Sequence, residues 1–182
     1  QNEEIIYQTG FEASEGFAAS TIYNDTTVVL TGNAGQQWGT YHGTPSTTAA
    51  IIGSQSMQMR WYTRTVNKLG YTYTNFDLAH VTKVNFYAAS TFSINVTVSY
   101  STDGGTTYTG DSTIVLTGSS TLYSYRVSTT GAYGSVRIKF SLSLPTPVPS
   151  ISTNSYRLYI DNVTIYGMSG GVATPVFTPS AG

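Results

Sequence analysis

Apolar and polar positions alternate with a period of two along most of this chain, and runs with the 3.6-residue period of a helix are almost missing. That pattern predicts strands, each with one face turned to a core. Ser56–Arg64 is the cleanest case: Met57, Met59 and Trp61 share one face, and Gln58, Arg60, Tyr62 and Arg64 share the other. Between Lys83 and Ala88, Val84, Phe86 and Ala88 point one way and Tyr87 the other. Ile94, Val96, Val98 and Tyr100 continue the same rhythm. Ile5–Gln8, Thr27–Leu30, Thr113–Thr117, Leu122–Val127, Ser135–Leu144 and Tyr156–Tyr166 bring the total to about ten strands. Gly, Asn, Asp and Ser punctuate them at intervals of roughly 8–14 residues, the spacing of a sandwich. The sequence has no repeat period, which argues against a propeller or solenoid.

The breaks carry information too. Ser101-Thr102-Asp103-Gly104-Gly105-Thr106-Thr107-Tyr108 fits the Asp-box pattern S-x-D-x-G-x-T-aromatic. Physically it reads as a hairpin turn, with Asp103 capping it and the two glycines supplying positive φ. Pro145, Pro147 and Pro149 alternate before the last strand. Such a run cannot sit in a central strand, so it marks an exposed loop. After Tyr166, Gly167-Met168-Ser169-Gly170-Gly171 has the composition of a flexible linker. We expect one domain over residues 1–168, with 169–182 forming a linker and the start of a following domain.

Composition narrows the class. A chain of 182 residues can bury a sizeable core in one domain. Only 9% of residues are charged and the net charge is -1, which offers no basic footprint for nucleic acid. No apolar run approaches the length needed to span a bilayer, so no membrane insertion is expected. There is no Cys, so no disulfide framework and no Cys–His chemistry. Abundant Tyr, Thr, Ser and Gly without Cys suits an exported bacterial β-protein, and a chain starting at Gln1 suits a processed one. We expect it secreted or at the cell surface.

Two short segments at opposite ends hold the most specific chemistry. Thr9-Gly10-Phe11-Glu12 and Tyr159-Ile160-Asp161-Asn162-Val163 each set one carboxylate inside an apolar, β-type run. A carboxylate there is costly unless paired or metal-bound. If the first and last strands are neighbours, Glu12 and Asp161 meet and suit a hard cation such as Ca²⁺. The alternative is an ion pair with Arg157 or Lys139.

Phe11-Glu12, Gly16-Phe17 and Tyr159-Ile160-Asp161-Asn162-Val163 resemble the bookends of the jelly-roll carbohydrate-binding modules of xylanases and cellulases, which open with F-E-x-x-x-x-G-W and close with Y-I-D-D-V. MAM adhesion domains and bacterial cleaved-adhesin domains share them. The chain departs from the pattern at Phe17, where the modules have Trp, and at Asn162, where they have a second Asp. The resemblance implies an all-β jelly-roll sandwich of two antiparallel sheets with a structural calcium. Its ligands would include Glu12 and Asp161; further ligands would come from backbone carbonyls or side chains of the Tyr23–Asp25 and Gly53–Ser56 loops, and among these we select Asp25 as the third side chain. The tail Ala173-Thr174-Pro175-Val176-Phe177-Thr178-Pro179-Ser180-Ala181-Gly182 resembles the opening of the β-domain that ends bacterial chitobiases, A-x-P-x-F-x-P-x-x-G. It implies a longer, modular parent protein.

Catalytic constellations are scarce. His42 and His80 lie far apart, no G-x-S-x-G elbow occurs, and with Glu12, Asp25, Asp161 and Asp103 assigned, no convincing carboxylate pair remains for glycoside hydrolysis. We expect no enzyme. Sugar recognition needs flat aromatic faces and planar polar partners. Trp38, Tyr41, Tyr62, Tyr71, Tyr73, Tyr87, Tyr123 and Tyr125 lie outside the core-facing set, with Gln58, Arg60, Arg64 and Arg137. From these we expect a platform of Trp38, Tyr41, Arg60, Tyr62 and Tyr87. Trp38 and Tyr41 would be carried by the Gly-flanked loop Trp38–Gly43. The low charge density suggests a neutral glycan or polysaccharide and a monomeric accessory module within a larger chain. The opposing reading is a protein–protein adhesion or spacer domain, with these tyrosines simply covering the sheets.

Overall fold

In the computed structural model, residues 2–62, 68–117, 121–148 and 156–168 are described. They form a jelly-roll β-sandwich of two antiparallel sheets. The linker and following segment expected at 169–182 lie outside the described residues.

The first sheet is organised around its longest strand, β13 (Tyr156–Met168). On one side β13 pairs with β8 (Val81–Ser90), which carries β11 (Leu122–Arg126) at the edge. On the other side two strands share it in succession. Residues 156–160 pair with β5 (Ser56–Tyr62), and residues 163–168 with β1 (Glu3–Thr9). β4 (Gly43–Ser46) and β6 (Lys68–Leu69) pair with β5. First and last strands are therefore neighbours, and Asp161 sits where β5 ends its pairing and β1 has not begun. The second sheet runs β10 (Thr109–Ile114), β9 (Asn95–Ser101), β12 (Arg137–Ser143), β7 (Tyr71–Thr74), β3 (Gln37–Tyr41), β2 (Val28–Thr31).

The predicted alternations hold. Met57, Met59, Trp61, Val84, Phe86, Ala88, Val96 and Val98 are all buried between the sheets. The largest side chain of the core comes from a segment read as a loop. Trp38 is 0% exposed, packs edge-on against Phe11 at 4.9 Å, and donates its indole N–H to the Tyr7 hydroxyl at 2.7 Å. The polar tip of the ring is thus satisfied where it is buried. Trp38 lies in β3, flanked by β2 and β7, and the two-residue period that turns Trp38 and Thr40 inward turns Gly39 and Tyr41 outward. Trp38 is a core residue, not part of an exposed platform.

β7 reverses the usual code. Its threonines, Thr72 and Thr74, face the core, while Tyr71 and Tyr73 face out. The buried hydroxyls are satisfied: Thr72 donates to the Gly39 carbonyl at 2.9 Å, and Thr74 accepts the Ile138 N–H at 2.9 Å. A buried polar group so paired loses little relative to water.

Candidate functional site

The sequence-derived ligand set does not assemble. Tyr41 lies on the outer face of the second sheet, whereas Arg60 and Tyr62 belong to β5 and Tyr87 to β8, both in the first sheet. Tyr87 does lie on the outward, half-buried side of β8, opposite Asp161. On β5 the polar face is covered by the preceding chain: Tyr23 lies 4.2 Å from the Arg60 guanidinium, and its hydroxyl accepts a hydrogen bond from Gln58. Gln58 is buried in consequence. The polar side of β5 was expected to look to solvent, and Tyr23 prevents that at Gln58.

The tyrosines gather on the second sheet instead. Register places Gly39, Tyr73 and Lys139 in one row across β3, β7 and β12, and Tyr41, Tyr71 and Ser141 in the next. Residues so paired share a face. Tyr41 and Tyr71 stack at 5.2 Å and 24°, and Tyr71 lies 6.2 Å from Tyr73. Gly39 makes room for this row. A Cβ there would come within 2.2 Å of Cζ of Tyr73, so the tyrosine ring lies over the glycine.

The Asp-box turn closes one end. Asp103 Oδ1 accepts from Ser101 Oγ at 2.7 Å and from the Thr107 N–H at 2.9 Å, and Ser101 Oγ accepts the Gly105 N–H at 2.9 Å. The Thr107 hydroxyl, donating to Oδ2, leads the Thr107 N–H and the Ser101 hydroxyl in holding the Asp103 carboxyl down at about 2. The turn projects Tyr108 over the sheet. Lys139 Nζ then lies 4.2 Å from the Tyr71 ring centroid and 5.0 Å from that of Tyr108. Burial lowers the Lys139 pKa, with Asp111 partly opposing it, and burial pushes the Tyr108 phenol up to about 12.

The result is a groove of about 240 Å³ lined by Tyr71, Tyr73, Asn75, Gly104, Gly105, Tyr108, Arg137 and Lys139. Its floor is braced by a polar chain. Asn75 donates to Gln37 at 3.1 Å, Arg137 donates through Nη1 to Asn75 at 3.0 Å, and Arg137 Nε donates to Asp77 at 2.8 Å. Aromatic rings beside fixed planar polar groups are the equipment for stacking on and hydrogen-bonding to a sugar. Tyr71, Tyr73 and Arg137 were among the outward candidates in the sequence. Tyr108 and Lys139 were not, because a turn aromatic and a lone lysine give no pattern until the sheet brings them together.

The two bookend carboxylates are held elsewhere, by one loop beside the gap in the first sheet. Asp161, 0% exposed, accepts the N–H groups of Ile51 and Ile52 on Oδ2 at 2.9 and 2.8 Å, and that of Asn162 on Oδ1 at 2.8 Å. Glu12, 7% exposed, accepts those of Ser54 and Gln55 on Oε1 at 2.9 and 3.2 Å. One loop thus straps both acids. Burial pushes the Asp161 carboxyl up to about 6, and the Glu12 charge adds to the rise. Neither acid is paired with Arg157 or Lys139 among the described residues. Asp25 is absent from this arrangement: it is 69% exposed and paired with His42 at 2.8 Å and Lys68 at 3.2 Å. Among the described residues no three His, Asp or Glu side chains converge on one position. Two buried anions without a cationic side chain suit a hard cation in charge. The lone pairs left on Asp161 Oδ1 and on Glu12 could accept it, but further ligands would have to be backbone or water oxygens.

No family model matches this sequence, and no curated protein matches it. Among solved structures, the chain is similar to the carbohydrate-binding module TmCBM61 in complex with β-1,4-galactotriose (12% identity, TM-score 0.48, covering 87% of this chain and 94% of that one). It is similar to a CBM4 module (14% identity, TM-score 0.45, 72% of this chain and 94% of that one). It is also similar to part of the enzymatically active domain of tailspike protein 4 of bacteriophage CBA120 (16% identity, TM-score 0.41, 91% of this chain and 19% of that one).

Proposed function

We propose that this chain is a non-catalytic carbohydrate-binding module, an accessory domain of a secreted, multidomain bacterial protein. Its ligand would lie in the tyrosine groove on the outer face of the second sheet. The observation that carries this reading is the coincidence of Tyr73 laid over Gly39, Tyr108 held by the Asp-box turn, and Asn75 and Arg137 fixed by their own hydrogen bonds. A sugar ring stacks on the tyrosines while its hydroxyls meet the amide and guanidinium. Secretion is the part of this reading carried by composition alone, the Tyr-, Thr- and Ser-rich usage common in exported bacterial β-proteins.

A glycan array or affinity-gel screen tests it. Wild type should retain an oligosaccharide, and Tyr73→Ala or Tyr108→Ala should weaken retention by about 1–3 kcal/mol with the melting temperature little changed. Retention of no glycan at all would overturn this reading in favour of an adhesion or spacer domain.

A structural Ca²⁺ at Glu12 and Asp161 belongs to the same proposal. The buried, uncompensated charge of the pair supports it, and the ion would pin the two chain ends through the 51–55 loop. An ion that binds only the folded state raises the melting temperature, by about 2.7 kcal/mol of stability at a hundredfold excess over its Kd. A melting temperature indifferent to both Ca²⁺ and chelator would remove the ion from the proposal.

A further inference from the structure

The charge of the groove differs from that of the chain. Two of its lining residues are cations, Arg137 and Lys139, and none is an acid. Arg137 is half spoken for, since its Nε is bonded to Asp77. Lys139 is not: among the described residues no carboxylate comes within ion-pair distance, and Asp111 acts on it only from further away. Its ammonium is held between two tyrosine rings at the wall of the groove. Cation–π contact stabilises such an ammonium without neutralising it. A desolvated, unneutralised cation beside aromatic rings is unsuited to a wholly neutral ligand and complementary to one carrying a single anion next to a pyranose face.

Resting on the carbohydrate reading above, we infer that the groove selects acidic sugars: a uronic-acid residue whose carboxylate meets Lys139, with Arg137 Nη1 and Asn75 taking adjacent oxygens, and whose ring packs on Tyr73 and Tyr108. This reverses the neutral ligand that net charge alone suggested, because recognition depends on the local field. A carboxylate fits better than sulfate-rich chains. Dense polyanions call for an extended basic patch, and with 8 Lys and Arg in the whole chain this sheet face offers two.

The test uses matched trimers that differ only at C6: trigalacturonate against galactotriose, and trimannuronate against mannotriose, by isothermal titration. At least one uronate trimer should bind more tightly than its neutral partner, with affinity falling as salt rises. Lys139→Met, which keeps the hydrophobic stem over Tyr71, should weaken uronate binding roughly 10-fold, the loss of one charge-assisted hydrogen bond. Any neutral-trimer affinity should fall by clearly less than that. Lys139→Arg should restore much of the loss, which controls for a variant that merely disturbs the strand. Equal or tighter binding of the neutral trimers, unaffected by Lys139→Met, would overturn the inference and leave the carbohydrate reading intact. Binding of no trimer and no array glycan would overturn both.

Discussion

Asp161 should make this domain less stable as the pH rises through the weakly acidic range, the reverse of what most carboxylates do. Its folded pKa is about 6 against an ordinary 3.8, because burial disfavours the anion more than three backbone N–H bonds favour it. The folded state therefore holds the proton more tightly than the unfolded chain. The stability contribution is complete below about pH 4 and is lost as pH rises through 6. A shift of about 2 pKa units corresponds to about 3 kcal/mol in all, of which about 2 kcal/mol fall between pH 4.5 and 7. His42, whose pKa is lowered by burial, acts in the opposite sense. Asp25 and Glu3, whose values are lowered by their partners, also act in the opposite sense, losing their contributions as the pH falls. The clean measurement is thus a difference. Urea denaturation of chelator-treated wild type and Asp161→Asn should be run across pH 4.5–7. Wild type should lose about 2 kcal/mol relative to the variant over that range, and excess Ca²⁺ should flatten the loss by favouring the anion. Parallel pH profiles for the two proteins, or a wild type that gains relative to the variant, would refute the reasoning. Either would mean that the loop N–H groups stabilise the Asp161 anion at least as much as burial penalises it.

Three further outcomes follow from the packing. Trp38→Ala should cost about 3–5 kcal/mol in chemical denaturation, since it empties a fully enclosed site and strands the Tyr7 hydroxyl; near-neutral stability would mean the ring is not central to the core. Gly39→Ala should weaken glycan binding while the domain stays folded, because the new methyl group displaces the Tyr73 ring rather than backbone; unchanged affinity on the array would show that Tyr73 is not a contact. Asp103→Ala should loosen the turn that carries Tyr108, seen as faster amide exchange at Gly105 and Thr107 together with weaker binding; exchange indistinguishable from wild type would count against the turn as a positioning element.

How much of the site was legible depends on which face its side chains use. Strands such as Ser56–Tyr62 and Val81–Ser90 announce themselves, because one face must be apolar and the alternation of Met57, Met59 and Trp61 or Val84, Phe86 and Ala88 can arise in no other way. β3 and β7 hide. In β3 the glycine at 39 breaks the pattern, and a tryptophan between polar neighbours reads as a loop aromatic. In β7 the core-facing residues are threonines and the solvent-facing ones tyrosines, so hydropathy points the wrong way. Only the carbonyl of Gly39 and the N–H of Ile138, supplied by neighbouring strands, make burial of Thr72 and Thr74 cheap. That Glu12 and Asp161 share a loop depends on the pairing of the two end strands, which the bookend motifs suggested and the register of β1 with β13 fixed. The place of Asp25 was not, because loop contacts such as those with His42 and Lys68 follow from packing rather than from spacing.

By itself the sequence determined the β class, the faces of the long apolar strands and the turn at 101–108, all of which rest on local geometry and period-two burial. The tertiary structure decided which tyrosines stand together. Tyr41, Tyr71 with Tyr73, Tyr108 and Lys139 come from four separate stretches of chain. What unites them is the register of β3, β7 and β12 and the reach of one turn, and such long-range pairing is fixed only when the two sheets close over a shared core.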